Sequence, residues 1–204
     1  AQMAGQLGQI PSMTLPKQVT AGGIQQILRD RINGLSPQDR NLLRLASISG
    51  REVDLKVIRH LAGTTGFKTT AVDEWLARCL NKGVFNLQDE IWRFSHDRLR
   101  GLVLERADEE EVAMLNRRVA MSVTLTYPGS PDKYATLQQL WGAAGEIDKE
   151  LSSAMLAGDY AMKVNTYPEA VKHFTRAVEI KRDNPQYGPS VSLYDLLLKL
   201  GDAQ

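Results

Sequence analysis

Residues 84–103, VFNLQDEIWRFSHDRLRGLV, constrain the fold more than any other stretch of the chain. Val84, Phe85 and Leu87 form one apolar run and Ile91, Trp92 and Phe94 a second, with the polar turn Gln88-Asp89-Glu90 between them. Two β-rich, aromatic runs around so short a loop predict a hairpin. Ser95 suits a helix N-cap, and behind it Leu99, Leu102 and Val103 fall on one helical face. Two short helical segments lie just upstream. Two helices followed by a hairpin predict a winged helix-turn-helix, and His96-Asp97 is its most distinctive polar feature.

The upstream segments follow from periodicity and caps. From Val19 onward Ile24, Ile27, Leu28 and Ile32 share a face, and Gly34 ends the run. Ser36-Pro37-Gln38-Asp39 opens the next helix, with Ser as cap, Pro at the first helical position and Asp beside the positive helix end. Leu42, Leu43, Leu45 and Ala46 are its expected buried side, before Gly50. Asp54 caps a helix over 55–62 whose inward residues are Leu55, Ile58, Leu61 and Ala62. The 64–70 loop leads to a helix over 71–82 carrying Val72, Trp75, Leu76, Cys79 and Leu80. Trp75, Trp92 and Cys79 read as core residues. Residues 1–18 read as a linker or the tail of a missing domain.

Downstream, Glu109, Glu110 and Glu111 favour the start of a helix striped by Val112, Leu115, Val119 and Val123. Pro128-Gly129-Ser130-Pro131 is the strongest candidate boundary, dividing a helical and winged-helix domain (19–127) from a helical-repeat domain (131–204). The spacing Gly158…Tyr167-x-x-Ala170-x-x-x-Phe174-x-x-Ala177 resembles the tetratricopeptide repeat. There small residues let antiparallel helices approach and aromatics fill the gap between pairs. Leu200-Gly201 is similar to the opening of a next repeat. The step from Gly158 to Gly201 is 43 positions, against about 34 in that family, so the 184–189 loop would be long. Ala154 and Ala161 stand where the repeat usually has large residues. The expected fold is therefore mostly α: a winged helix-turn-helix with a small hairpin, then paired antiparallel helices that break off within a helix, as in a piece of a longer protein.

Chemistry is sparse. No G-x-x-x-x-G-K-[ST] phosphate loop occurs, and the three histidines, His60, His96 and His173, lack metal-ligand spacing. No Ser or Cys is placed with a base in a nucleophile motif. The segment itself therefore reads as a non-enzyme with no cofactor or metal of its own. The single cysteine excludes an intramolecular disulfide and fits a reducing, cytoplasmic setting. No apolar run approaches membrane-span length. Net charge is +5 over the first hundred residues and −4 over the remainder, too mild to imply nucleic acid. A DNA-binding regulator is the alternative for this fold. Its reading helix, however, would begin Ala71-Val72-Asp73-Glu74, presenting two carboxylates to phosphates, and the Gln88-Asp89-Glu90 turn is acidic too.

Three motifs in order carry a resemblance over residues 15–204. Leu15-Pro16-Lys17-Gln18-Val19, Arg31 to Leu35, and Ala46 to Asp54 within ASISGREVD resemble the stretch that follows the ATPase core in bacterial signal-transduction ATPases with numerous domains (STAND). RFSHDRLRGLVLE, residues 93–105, is similar to the Phe-x-His-Asp segment of the same proteins. It is also similar to the Met-His-Asp motif of their apoptotic and plant-immune relatives, although Ser95 stands where those often carry Met or an aromatic. The resemblance implies a sensor arm in which His96 contacts the β-phosphate of ADP held by an upstream nucleotide-binding domain, with Asp97 orienting the imidazole or the backbone. It implies ATP and ADP as ligands of the whole protein. It also implies a repeat surface, built around Gly158, Tyr167, Ala170, Phe174 and Ala177, that takes a protein or small-molecule inducer.

Overall fold

A computed structural model of the chain describes residues 21–64, 67, 71–187 and 192–203. The expected 1–18 linker, the Leu15–Val19 motif, most of the 64–70 loop and parts of the 184–189 loop lie outside the described residues. Among the described residues the chain is mostly helical, with one small antiparallel sheet. The order is α1 (Ala21–Asn33), α2 (Pro37–Ser49), α3 (Leu55–Thr64), α4 (Val72–Asn81), β1 (Phe85–Gln88), β2 (Ile91–Phe94), α5 (Asp97–Leu104) and α6 (Glu109–Thr126). A 3-10 turn (Pro131–Lys133) precedes α7 (Tyr134–Ala143), α8 (Ile147–Lys163), α9 (Tyr167–Asp183) and α10 (Leu193–Ala203).

Local chemistry sets the helix starts. Ser36 Oγ accepts the Asp39 N–H at 3.1 Å, with Pro37 at the first helical position. Asp54 Oδ1 accepts the N–H groups of Lys56 and Val57, and Asp108 Oδ1 that of Glu111. Each cap supplies an acceptor to N–H groups that have no partner inside the helix. Ser95 does not cap α5. Its hydroxyl donates to the Gly83 carbonyl at 2.6 Å and its N–H to Val84 O at 2.9 Å, which ties it to the base of the hairpin. The cap falls one residue later, at His96.

The hairpin pairs Phe85 with Phe94 and Gln88 with Ile91, so its loop is two residues, Asp89-Glu90. Both have left-handed φ (50° and 63°), the geometry of a turn whose twist matches that of the strands. Residues 51–53, between the Gly50 stop and the Asp54 cap, run along the free side of β2: Phe94 N–H donates to Arg51 O and Val53 N–H to Trp92 O, with Glu52 bridged to Arg93. The edge of β2 is thereby covered.

Trp75, Phe85 and Phe94 stack edge-on, with ring centroids 5.4 and 4.8 Å apart, at the heart of the main core. Several expected core positions are outside it. Ile24, Ile27 and Leu80 face solvent, and Trp92 is half-buried against the core. Amphipathic spacing locates a face, but a short helix with a partner on one side only buries part of it. The main core also extends past the 128–131 loop, because Leu137, Leu140, Trp141 and Ala144 belong to it. Two smaller clusters follow, one around Leu151, Ala154, Ala177 and Leu196, the other around Ala161, Ala170, Phe174 and Ala203.

Candidate functional site at the start of the fifth helix

The corner between β2 and α5 holds the two residues singled out for nucleotide sensing. His96 is extended (φ −148°, ψ 133°) and exposed. Its Nδ1 accepts the Arg98 backbone N–H at 3.1 Å. An acceptor nitrogen carries no hydrogen, so in this arrangement the ring proton sits on Nε2, at the far edge of the imidazole. The cap thus does two things at once: it satisfies a helix N–H and leaves a single N–H donor on the outward side.

The corner is rigidly backed. Leu99, one turn into α5, is fully buried. Arg100 Nε donates to the Ser47 carbonyl at 3.0 Å, fastening α5 to α2. Asp97 is mostly exposed and lies 3.3 Å from Arg51 Nε, an ion pair largely in water. No hydrogen bond joins its carboxylate to His96 among the described residues, where the imidazole accepts from the Arg98 backbone N–H. An open recess lined by Gln25, Asp97, Arg98, Gly101 and Leu102 runs from this corner toward α1.

The surface that the DNA-binding alternative would use has a different character. Asp73 pairs with Arg59 at 3.1 Å, and Glu74 lies 3.8 Å from Arg78. Arg78 is committed instead to Asp39, through Nη2 to Oδ1 at 2.8 Å and Nε to Oδ2 at 3.0 Å. Burial alone would raise the Asp39 carboxyl, but hydrogen bonds from Arg78 and Ser36 outweigh it and hold the group below the usual carboxylate range. Trp75 Nε1 donates to the Asp39 carbonyl. Asp39 was legible as a helix-start acid but not as this hub, because its partners lie 36 and 39 positions away with no local pattern to announce them. Cys79 is buried, and that burial raises its thiol, so it packs as a hydrophobe.

The repeat-motif residues divide. Gly158 lies against the Phe174 ring, so close that a Cβ there would stand 2.5 Å from it. Ala170, Phe174 and Ala177 are buried on α9, in clusters shared with α8 and α10. Tyr167 is 46% exposed, its hydroxyl donating to Asn165 Oδ1 at 3.1 Å, and it fills no seam. His60 contacts the Ser122 hydroxyl at 2.9 Å and His173 contacts Gln138, so the three histidines remain apart. Among the described residues no cluster of His, Cys, Asp and Glu could hold a metal ion, and no helix is long and apolar enough to cross a membrane. Comparison of the chain with protein-family models, with curated proteins and with solved structures finds no match.

Proposed function

We propose that this chain is the regulatory arm of a signalling ATPase of the STAND type, closing on the ADP-bound form of an upstream nucleotide-binding domain. In this reading α3, α4 and the hairpin, flanked by residues 51–53, form a winged helix. The paired helices α8 and α9, with α10 opening the next pair, form a tetratricopeptide-like surface for a protein or small-molecule inducer. The observation that carries the reading is the outward Nε2–H of His96. It is a donor fixed in tautomer by the Arg98 N–H, standing at a helix start where anions are favoured. Asp73 and Glu74 at the head of α4 would meet the phosphates of duplex DNA, which disfavours DNA as the ligand of this arm.

Nucleotide release from the protein carrying its nucleotide-binding domain tests the reading. A hydrogen bond made to a charged phosphate only in the closed state is worth about 1.5–3 kcal/mol, an opening bias of about ten- to hundred-fold. His96→Asn keeps a side-chain acceptor for the helix N–H and replaces the imidazole Nε2–H with a shorter amide donor that does not reach its position, whereas His96→Ala removes acceptor and donor alike. Both variants are expected to release ADP faster, with only the Ala variant losing stability, by about 1 kcal/mol. If ADP leaves both at the unmodified rate, His96 is a cap and nothing more.

A further inference from the structure

A groove of about 420 Å³ lies between α1, the start of α2 and the end of α5. Arg29, Arg40, Arg44 and Arg106 all line it. Two of the four are neutralised. Arg29 grips Glu105 with two hydrogen bonds, Nη2 to Oε1 at 2.7 Å and Nε to Oε2 at 3.2 Å, and Arg44 pairs with Glu111. Arg40 and Arg106 make no side-chain hydrogen bond or ion pair among the described residues. Arg40 is moreover half-buried. Arg106 acts on Glu105 only through space, and Arg29 already grips that carboxylate, so the groove's arginines outnumber their carboxylates by two, and low-dielectric walls concentrate the excess positive potential there. Ile32, Leu102 and Val103 give the groove an apolar floor.

We propose that this groove binds a small phosphate monoester with an apolar body. Its phosphate would be clamped by Arg40 and Arg106 and its body laid over Ile32, Leu102 and Val103. The charge arithmetic selects the head group. A phosphate monoester carries about −1.5 to −2 at neutral pH, which matches the excess of two positive charges. A monocarboxylate would leave one of them uncompensated. The guanidinium fork matches phosphate oxygens in pairs, as an ammonium does not. The groove's size falls within the range of about 300–1,000 Å³ that small-molecule sites occupy. The site is separate from His96 and does not depend on the ADP reading.

Calorimetric titration of the purified chain with phenyl phosphate, inorganic phosphate and benzoate at matched ionic strength tests the proposal. Saturable binding of phenyl phosphate is expected, with both controls weaker. Arg40→Gln and Arg106→Gln should each weaken it by about ten-fold or more, the effect of losing one hydrogen bond to a charged group. Without ligand, Arg40→Gln should unfold no earlier than the unmodified chain, because the substitution breaks no hydrogen bond or ion pair and relieves like-charge repulsion. Phenyl phosphate that fails to saturate, affinity in both Gln variants unchanged from the unmodified chain, or an earlier unfolding of ligand-free Arg40→Gln would each overturn the proposal.

Discussion

Asp39 and His173 make the fold acid-sensitive for different reasons. Asp39 is buried against a guanidinium that remains partly in water, and its carboxyl is held below the usual range when folded. A depressed carboxyl contributes stability that is full above its unfolded value and is lost as pH falls through the folded one. His173 is lowered chiefly by burial, beside Gln138. Its neutral form is the one the fold accepts, so its contribution is full above the ordinary histidine value of 6.5 and fades as pH falls toward the lowered folded value. Both losses run in the acid direction, His173 first. Urea unfolding at stepped pH is expected to show a decline beginning below neutrality that His173→Gln removes, and a second at more acid pH that Asp39→Asn removes. At neutral pH Asp39→Asn should cost about 1–2 kcal/mol, less than a fully buried pair, because water screens Arg78. At this scale the sequence announces what acts locally. The Ser36 and Asp54 caps were readable from residue type and spacing. The displacement of the α5 cap from Ser95 to His96 was not, because Ser95 is claimed by Gly83, a partner across the hairpin.

Between elements, two glycines mark close approaches of unequal hardness. A Cβ on Gly158 would meet ring atoms of Phe174 at 2.5 to 2.8 Å, and that ring is 1% exposed with nowhere to retreat. A Cβ on Gly142 would meet the Glu150 carboxylate at 2.8 Å, the far end of a side chain that also accepts a hydrogen bond from Arg176 Nε. Replacing a helical glycine with alanine gains about 1 kcal/mol of helix propensity, while overpacking a filled core costs about 1–3 kcal/mol. Gly158→Ala should therefore lower the thermal midpoint, and Gly142→Ala should leave it nearly unchanged. The reverse order in a calorimetric comparison would mean that α8 and α9 can slide apart. The small-residue spacing of this pair was legible in the sequence, since Gly158, Ala170 and Ala177 keep their pattern within two consecutive helices. The strand-like pairing of residues 51–53 was not, because Glu52 and Arg93 are far apart in the chain and neither stretch alternates long enough to announce a strand.

For the molecule as a whole, the core that crosses the 128–131 loop decides how its parts can move. Pro128, Gly129 and Pro131 mark a turn clearly, but composition cannot reveal that α7 packs back into the main core, because its leucines would suit either side. A chain ending at Tyr127 would strip Leu137, Leu140, Trp141 and Ala144 from that core. It should be less stable than a chain ending at Gly145, and should bind an apolar dye that the longer one excludes. Equal midpoints for the two would show that α7 is dispensable to the main core. The shared helix also has a mechanical meaning. A bend between two bodies that each own their interior acts as a joint and absorbs a push. Here the bend lies inside one interior, so the segment works as a stiff beam with a corner in it. A displacement imposed on α8 reaches α6 and α3 through packed side chains before the loop has any slack to take it up.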